Sequence, residues 1–121
     1  MTDMKLPGPD HPITVEPYRG RVVVRFGNIV VADTTKAIEL KEASYKAVFY
    51  VPREDARLAL YESSSQRTHC PYKGDASYYH LAANGERAEN AVWSYEEPFP
   101  AMEAIRGHLA FYPNKVAIQT E

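Results

Sequence analysis

The run Thr68-His69-Cys70-Pro71-Tyr72-Lys73-Gly74 gathers an imidazole, the chain's only cysteine, a phenol and an ammonium within seven residues. A thiolate is the reactive form of cysteine, and charges on His69 and Lys73 would favour it if they lay close to the sulfur. Neighbours on an extended backbone point to opposite faces, so His69 need not meet Cys70. The absence of a second cysteine excludes an intramolecular dithiol cycle. The plainer reading of Cys70 is a small, partly buried side chain holding the turn before Pro71. His69, His80 and a carboxylate such as Asp75 or Glu54 could offer metal ligands. No HxxxH or HExxH spacing organises them, and no metal ligand is assigned.

A second group is Arg53-Glu54-Asp55. Glu54 and Asp55 could hold Mg²⁺ around phosphates, with Arg53, Arg67 and Lys73 stabilising the developing charge, as nucleotidyl transfer requires. The Gly-Ser loop followed by a D-x-D pair is missing, and so is a P-loop. A salt bridge and cap at a strand end account for the same three residues. A third group is aromatic: Tyr50, Tyr72, Tyr78 or Tyr79, Trp93 and Tyr95. Aromatic walls with a few polar groups describe a small-molecule site. They also describe an ordinary core, except that buried hydroxyls need partners.

The elements that must position these residues are short strands. Arg21–Phe26 and Ile29–Ala32 flank Gly27-Asn28, a hairpin signal. Residues 37–42 read as strand by length and context, and Ala47–Val51 is an apolar run suited to burial on both faces. Pro52 ends it. Leu58–Tyr61 suggests a brief strand and Ser63–Ser65 a loop. Residues 76–82 and 86–93 surround Asn84-Gly85, the strongest hairpin signal in the chain. Met102, Ile105 and Leu109 recur at helical spacing behind Pro100, which predicts about two turns of helix weakened by Gly107. Phe111-Tyr112 and Val116–Ile118 form a last strand split by Pro113-Asn114. Four prolines within residues 1–17 predict an extended arm, with a single β domain over residues 18–121.

The totals agree with one folded domain. The chain has 121 residues, 45% hydrophobic and 25% charged, a composition that builds a core without disulfides or a structural metal. A net charge of −2 gives no electrostatic case for nucleic acid or an anionic membrane. One cysteine excludes an internal disulfide and a Cys-rich zinc site. Met1–Gly8 lacks an apolar segment, so no signal peptide is expected and cytoplasm is the default compartment. Nine tyrosines bring apolar area together with polar handles.

Four segments in order carry a resemblance. Arg21–Asn28, Phe49-Tyr50-Val51-Pro52-Arg53-Glu54-Asp55, Thr68–Gly74 and Glu89-Asn90-Ala91-Val92-Trp93-Ser94-Tyr95 together resemble domain-of-unknown-function family 427 over roughly residues 18–117. That family is often labelled a nucleotidyltransferase family. The resemblance implies a β-tent of the Mss4-like type, shared with methionine sulfoxide reductase B and the ligand-binding domain of cereblon. Those relatives usually hold zinc through paired CxxC motifs, which this chain lacks.

The combined expectation is a mainly β protein: a small antiparallel sheet system, sandwich or open barrel, with one short C-terminal helix. It would bind a small anionic or nucleotide-like molecule in an aromatic pocket rimmed by residues 68–74. Arg53, Arg67 and Lys73 would hold charge, and Tyr50, Tyr72, Trp93 and Tyr95 the flat part. His69 and Cys70 are the reactive groups if there are any. The alternatives are a transferase using Glu54 and Asp55 with Mg²⁺, and an interaction module presenting a tyrosine-rich face. No structural zinc, nucleic acid or membrane partner is expected, and the protein would be a monomer or weak homo-oligomer.

Overall fold

A computed structural model describes residues 4–121; residues 1–3 of the expected arm lie outside the described residues. Ten strands follow in order: β1 (Ile13–Pro17), β2 (Val22–Phe26), β3 (Ile29–Thr34), β4 (Ile38–Glu42), β5 (Val48–Tyr50), β6 (Tyr61–Cys70), β7 (Gly74–Ala83), β8 (Glu86–Ser94), β9 (Ala110–Phe111) and β10 (Ala117–Thr120). They make three antiparallel sheets, ordered β1-β4-β5, β10-β2-β3 and β6-β7-β8-β9. The molecule is therefore the mainly β, antiparallel system expected, in sandwich form with no closed barrel.

Local chemistry explains the hairpins. Gly27 takes φ 61° between β2 and β3, the positive value that a two-residue loop asks of its first central residue when that residue is glycine. Asn84 and Gly85 both take positive φ, 52° and 77°, in the loop between β7 and β8, the pairing a type I′ turn requires. Central β2 has Val22, Val23 and Val24 all buried, because sheet partners flank it and both faces are covered.

The long sheet is bent. Its register shifts between Ser63 and Arg67 on β6 and between Tyr79 and Leu81 on β7. These bulges line up across three strands and are tied together. The Asn90 N–H donates to His80 Nδ1 at 2.9 Å, and the Ser64 hydroxyl meets the Asn90 side-chain oxygen at 2.5 Å. A bulge re-aims the strand beyond it, and successive strand residues point to opposite faces, so one sheet serves two cores. From one face, Leu81 and Val92 pack with Val22, Val24 and Val31 of the β10-β2-β3 sheet, the lower core. From the other, Ala76, Tyr78 and Tyr95 pack with Leu40 and Tyr50 of the β1-β4-β5 sheet, together with Met102 and Ile105, the upper core.

Two expectations are corrected and one is refined. The segment 58–60 is a 3₁₀ turn rather than a strand. Ser63–Ser65 belongs to β6, where a polar run suits a strand paired on one side only. The expected C-terminal helix is a 3₁₀ helix, Pro100–Ile105. It is kinked at Met102, whose φ of −112° and ψ of 22° are not helical, and it buries Met102 and Ile105. It stops short of Leu109, whose backbone exchanges two hydrogen bonds with Val51, at 2.7 and 2.8 Å. Within residues 1–17, Ile13–Pro17 is extended and pairs with β4 as β1.

Candidate functional site

The upper half of the bent sheet presents an aromatic face. Tyr78 on β7 lies directly opposite Trp93 on β8, and Tyr95 follows Trp93 by two residues, which returns it to the same face. The same period brings Leu40 and Glu42 of β4, and Val48 and Tyr50 of β5, to face them. Tyr112 closes one side. These residues, with Tyr45, Lys46 and Lys73, enclose a cavity of roughly 290 Å³. The Trp93 ring lies 4.6 Å from Tyr112, tilted by 48°, and meets Tyr50 edge-on at 6.4 Å. Trp93 Nε1–H donates to the Tyr50 hydroxyl at 3.3 Å. Thr68, Tyr78 and Tyr112 form a chain of hydroxyls, at 2.9 and 3.4 Å.

Burial decides the state of these phenols. It pushes the Tyr50 and Tyr95 hydroxyls far above their ordinary range, and it pushes Tyr112 up to about 12 with help from Tyr78. They are neutral donors at any physiological pH. Tyr95 is only 7% exposed, lines the cavity, and makes no side-chain hydrogen bond among the described residues.

One end of the cavity is ionic. Lys73, 7% exposed, donates to Glu42 Oε1 at 2.5 Å and lies 3.7 Å from Cys70 Sγ. The other Glu42 oxygen meets His11 Nε2 at 2.7 Å. Burial raises the Glu42 carboxyl, but hydrogen bonds from Lys73 and His11 outweigh it and hold the group below its ordinary value. The cavity thus contains an internally matched pair. At its mouth, the loop between β4 and β5 contributes Tyr45 and Lys46, both exposed. Lys46 has no ion pair among the described residues.

Of the expected ligand-binding residues, Tyr50, Lys73, Trp93 and Tyr95 come together on this cavity. Three do not. Tyr72 turns outward at the hairpin tip and stacks on His11, 4.2 Å between ring centres and 11° from parallel. Arg53 lies behind β8: its guanidinium reaches the Tyr79 and Ser94 hydroxyls and pairs with Glu96 at 2.9 Å. Ser94 faces away from Trp93 by the strand period, so Arg53 serves the opposite face. Arg67 donates to the Ser64 and Gln66 carbonyls.

The expected reactive residues are dispersed as well. His69 meets Asp75 Oδ1 at 2.7 Å, while Cys70 packs at the edge of the upper core and does not line the cavity. Glu54 is exposed, 3.9 Å from Lys36. Asp55 accepts from the Thr34 hydroxyl at 2.7 Å, which ties a turn to β3. Among the described residues, no three His, Cys, Asp or Glu side chains are grouped to hold a metal ion. No helix among them is long and apolar enough to cross a membrane.

Sequence reasoning passed over Glu42, Tyr45, Lys46 and Tyr112, and from sequence Asp10-His11-Pro12 reads as an ordinary turn in preference to a ligand-capping element. Period two along β4 could have placed Glu42 beside Leu40, on a face otherwise committed to burial. Nothing local to the other four shows that β4, β5 and the chain after β9 meet at one place. A family model described as a domain of unknown function (DUF427) matches residues 14–121. No curated protein matches the chain.

Proposed function

The chain belongs to the family described as domain of unknown function 427, and since that description names no activity, we propose a function from the site itself: the domain binds a small, ring-containing molecule in the aromatic cavity. The observation that carries this reading is the convergence of Tyr50, Tyr78, Trp93, Tyr95 and Tyr112 around one open space with Lys73 and Glu42 at its end. Five aromatic side chains from three strands and two loops have not closed on one another as a plain core does. They leave flat apolar walls with a few fixed polar groups, the usual make-up of a small-molecule site. We also read the three sheets as the β-tent of Mss4-like proteins, with the cavity where its two cores leave the upper sheets apart.

No observation favours the transferase alternative, since Glu54 and Asp55 stand outside the cavity lining and each has a local partner. Nor does one favour an interaction face, since of the nine tyrosines only Tyr45 is exposed while Tyr50, Tyr78 and Tyr95 are buried. A thermal-shift screen of planar metabolites tests the binding reading. A ligand at a hundred times its dissociation constant adds about 2.7 kcal/mol to stability, so hits raise the melting temperature visibly. Trp93→Ala, checked for retained fold, abolishes that rise. A silent screen, or hits indifferent to Trp93→Ala, sinks the proposal.

A further inference from the structure

We infer that the cavity selects planar acids, with Lys46 reading the negative charge and Tyr95 donating a hydrogen bond to an acceptor at the buried end. This rests on the cavity being a ligand site, and it concerns which molecules that site admits.

The size comes first. An apolar cavity of about 150 Å³ holds benzene, so roughly 290 Å³ suits one ring with polar substituents or a fused pair of rings. A nucleoside triphosphate would leave its phosphates in solvent. Charge comes second. Glu42 would be the natural attractant for a cationic ligand, but Lys73 and His11 already occupy its two oxygens. Lys73 is in turn committed to Glu42. With that pair matched internally, Lys46 is the one charged cavity residue without an ion-pair partner among the described residues. A ligand entering past Tyr45 therefore meets a net positive mouth.

The third observation is Tyr95. Among the described residues no buried side-chain polar atom lacks a partner, so the Tyr95 hydroxyl, which makes no side-chain hydrogen bond there, is accessible, and its residue lines the open space. Burial keeps the proton on it. An O–H donor held there is complementary to a carbonyl, hydroxyl or carboxylate oxygen of the ligand. A purely hydrocarbon ring would leave it unmet and lose affinity.

Trp93 is the only tryptophan, so its indole N–H gives a single NMR signal that reports on the cavity wall. We would titrate the intact chain with benzoate, benzamide and benzamidinium, which share one shape and carry negative, zero and positive charge. At low ionic strength benzoate should bind about twofold to fivefold more tightly than benzamide, with benzamidinium weakest. Lys46→Gln should erase the gap between benzoate and benzamide. Tyr95→Phe should weaken 4-hydroxybenzoate, whose ring hydroxyl offers an acceptor opposite the carboxylate, by about fivefold, and leave benzoate, which presents only its ring to Tyr95, unchanged. If all three probes saturate at one concentration, the charge selection is wrong while the cavity remains a binding site. If none moves the signal, the binding reading itself falls. Lys46→Gln that leaves the benzoate preference intact overturns the role given to Lys46.

Discussion

Glu42 shows how much one side chain can decide. Its two oxygens join the hairpin tip, through Lys73, to the amino-terminal segment, through His11, and it also lines the cavity. Removing one partner of a largely buried pair costs more than the pair contributes, because the other charge stays behind without compensation. Glu42→Gln should therefore destabilise the fold by about 2 kcal/mol in chemical denaturation. Lys73→Met should cost less, because Glu42 keeps His11 and the methionine fills the space of the lysine stem. The reverse order would mean that Lys73 is not held chiefly by Glu42. The pH dependence has a definite sign. The Glu42 carboxyl is held below its ordinary value of 4.5 in the folded protein. Its contribution is complete above that pH and is lost as pH falls below it, through the folded value. Glu42→Gln has nothing to protonate there, so its deficit against the wild type should shrink below pH 4.5. Asp33 and Glu103, also held low by arginines, are common to both proteins and cancel in that comparison.

At the scale of elements, the aligned bulges bend one long sheet whose two faces serve two cores. They were not legible in the sequence, because nothing in Ser63-Ser64-Ser65, His80 or Glu89-Asn90 distinguishes a bulge from a loop or a plain strand. The hairpins were legible, because Asn-Gly and Gly-Asn carry their own backbone preference. The 3₁₀ helix was half legible: the spacing of Met102 and Ile105 was right, but the competing Val51–Leu109 ladder is a long-range contact. Asn90 is where the bulge can be tested. It sits at φ 52°, accepts from Ser64 and donates its N–H to His80. Asn90→Ala loses the side-chain bond and strains the backbone, so it should cost about 1–2 kcal/mol. Asn90→Gly loses the bond but relieves the strain, so equilibrium unfolding should place it between alanine and wild type. Equal losses in the two variants would show that the positive φ carries no cost and that the bulge rests on the Ser64 contact alone.

The whole molecule joins two cores through β6, β7 and β8. The composition and the alternating runs made a β sandwich readable, and the aromatic residues of a cavity could be named in part. Their convergence could not be read, since Tyr50, Tyr78, Trp93 and Tyr112 come from segments far apart in the chain and are brought together by pairings that no short window contains. The same connectivity has a consequence for unfolding. Val92 belongs to the lower core and Trp93, the next residue, packs on the upper one, so neither core can lose its share of β8 without pulling on the other. Unfolding should then be a single cooperative transition. Leu81→Ala, a fully buried deletion in the lower core, should cost about 2–5 kcal/mol. It should shift the midpoint seen by Trp93 fluorescence, which reports the upper core, as far as the midpoint seen by far-ultraviolet circular dichroism. A fluorescence midpoint that stays in place while the dichroism moves would mean that the cores unfold separately, and that the bent sheet is a hinge between two units rather than the element that makes them one.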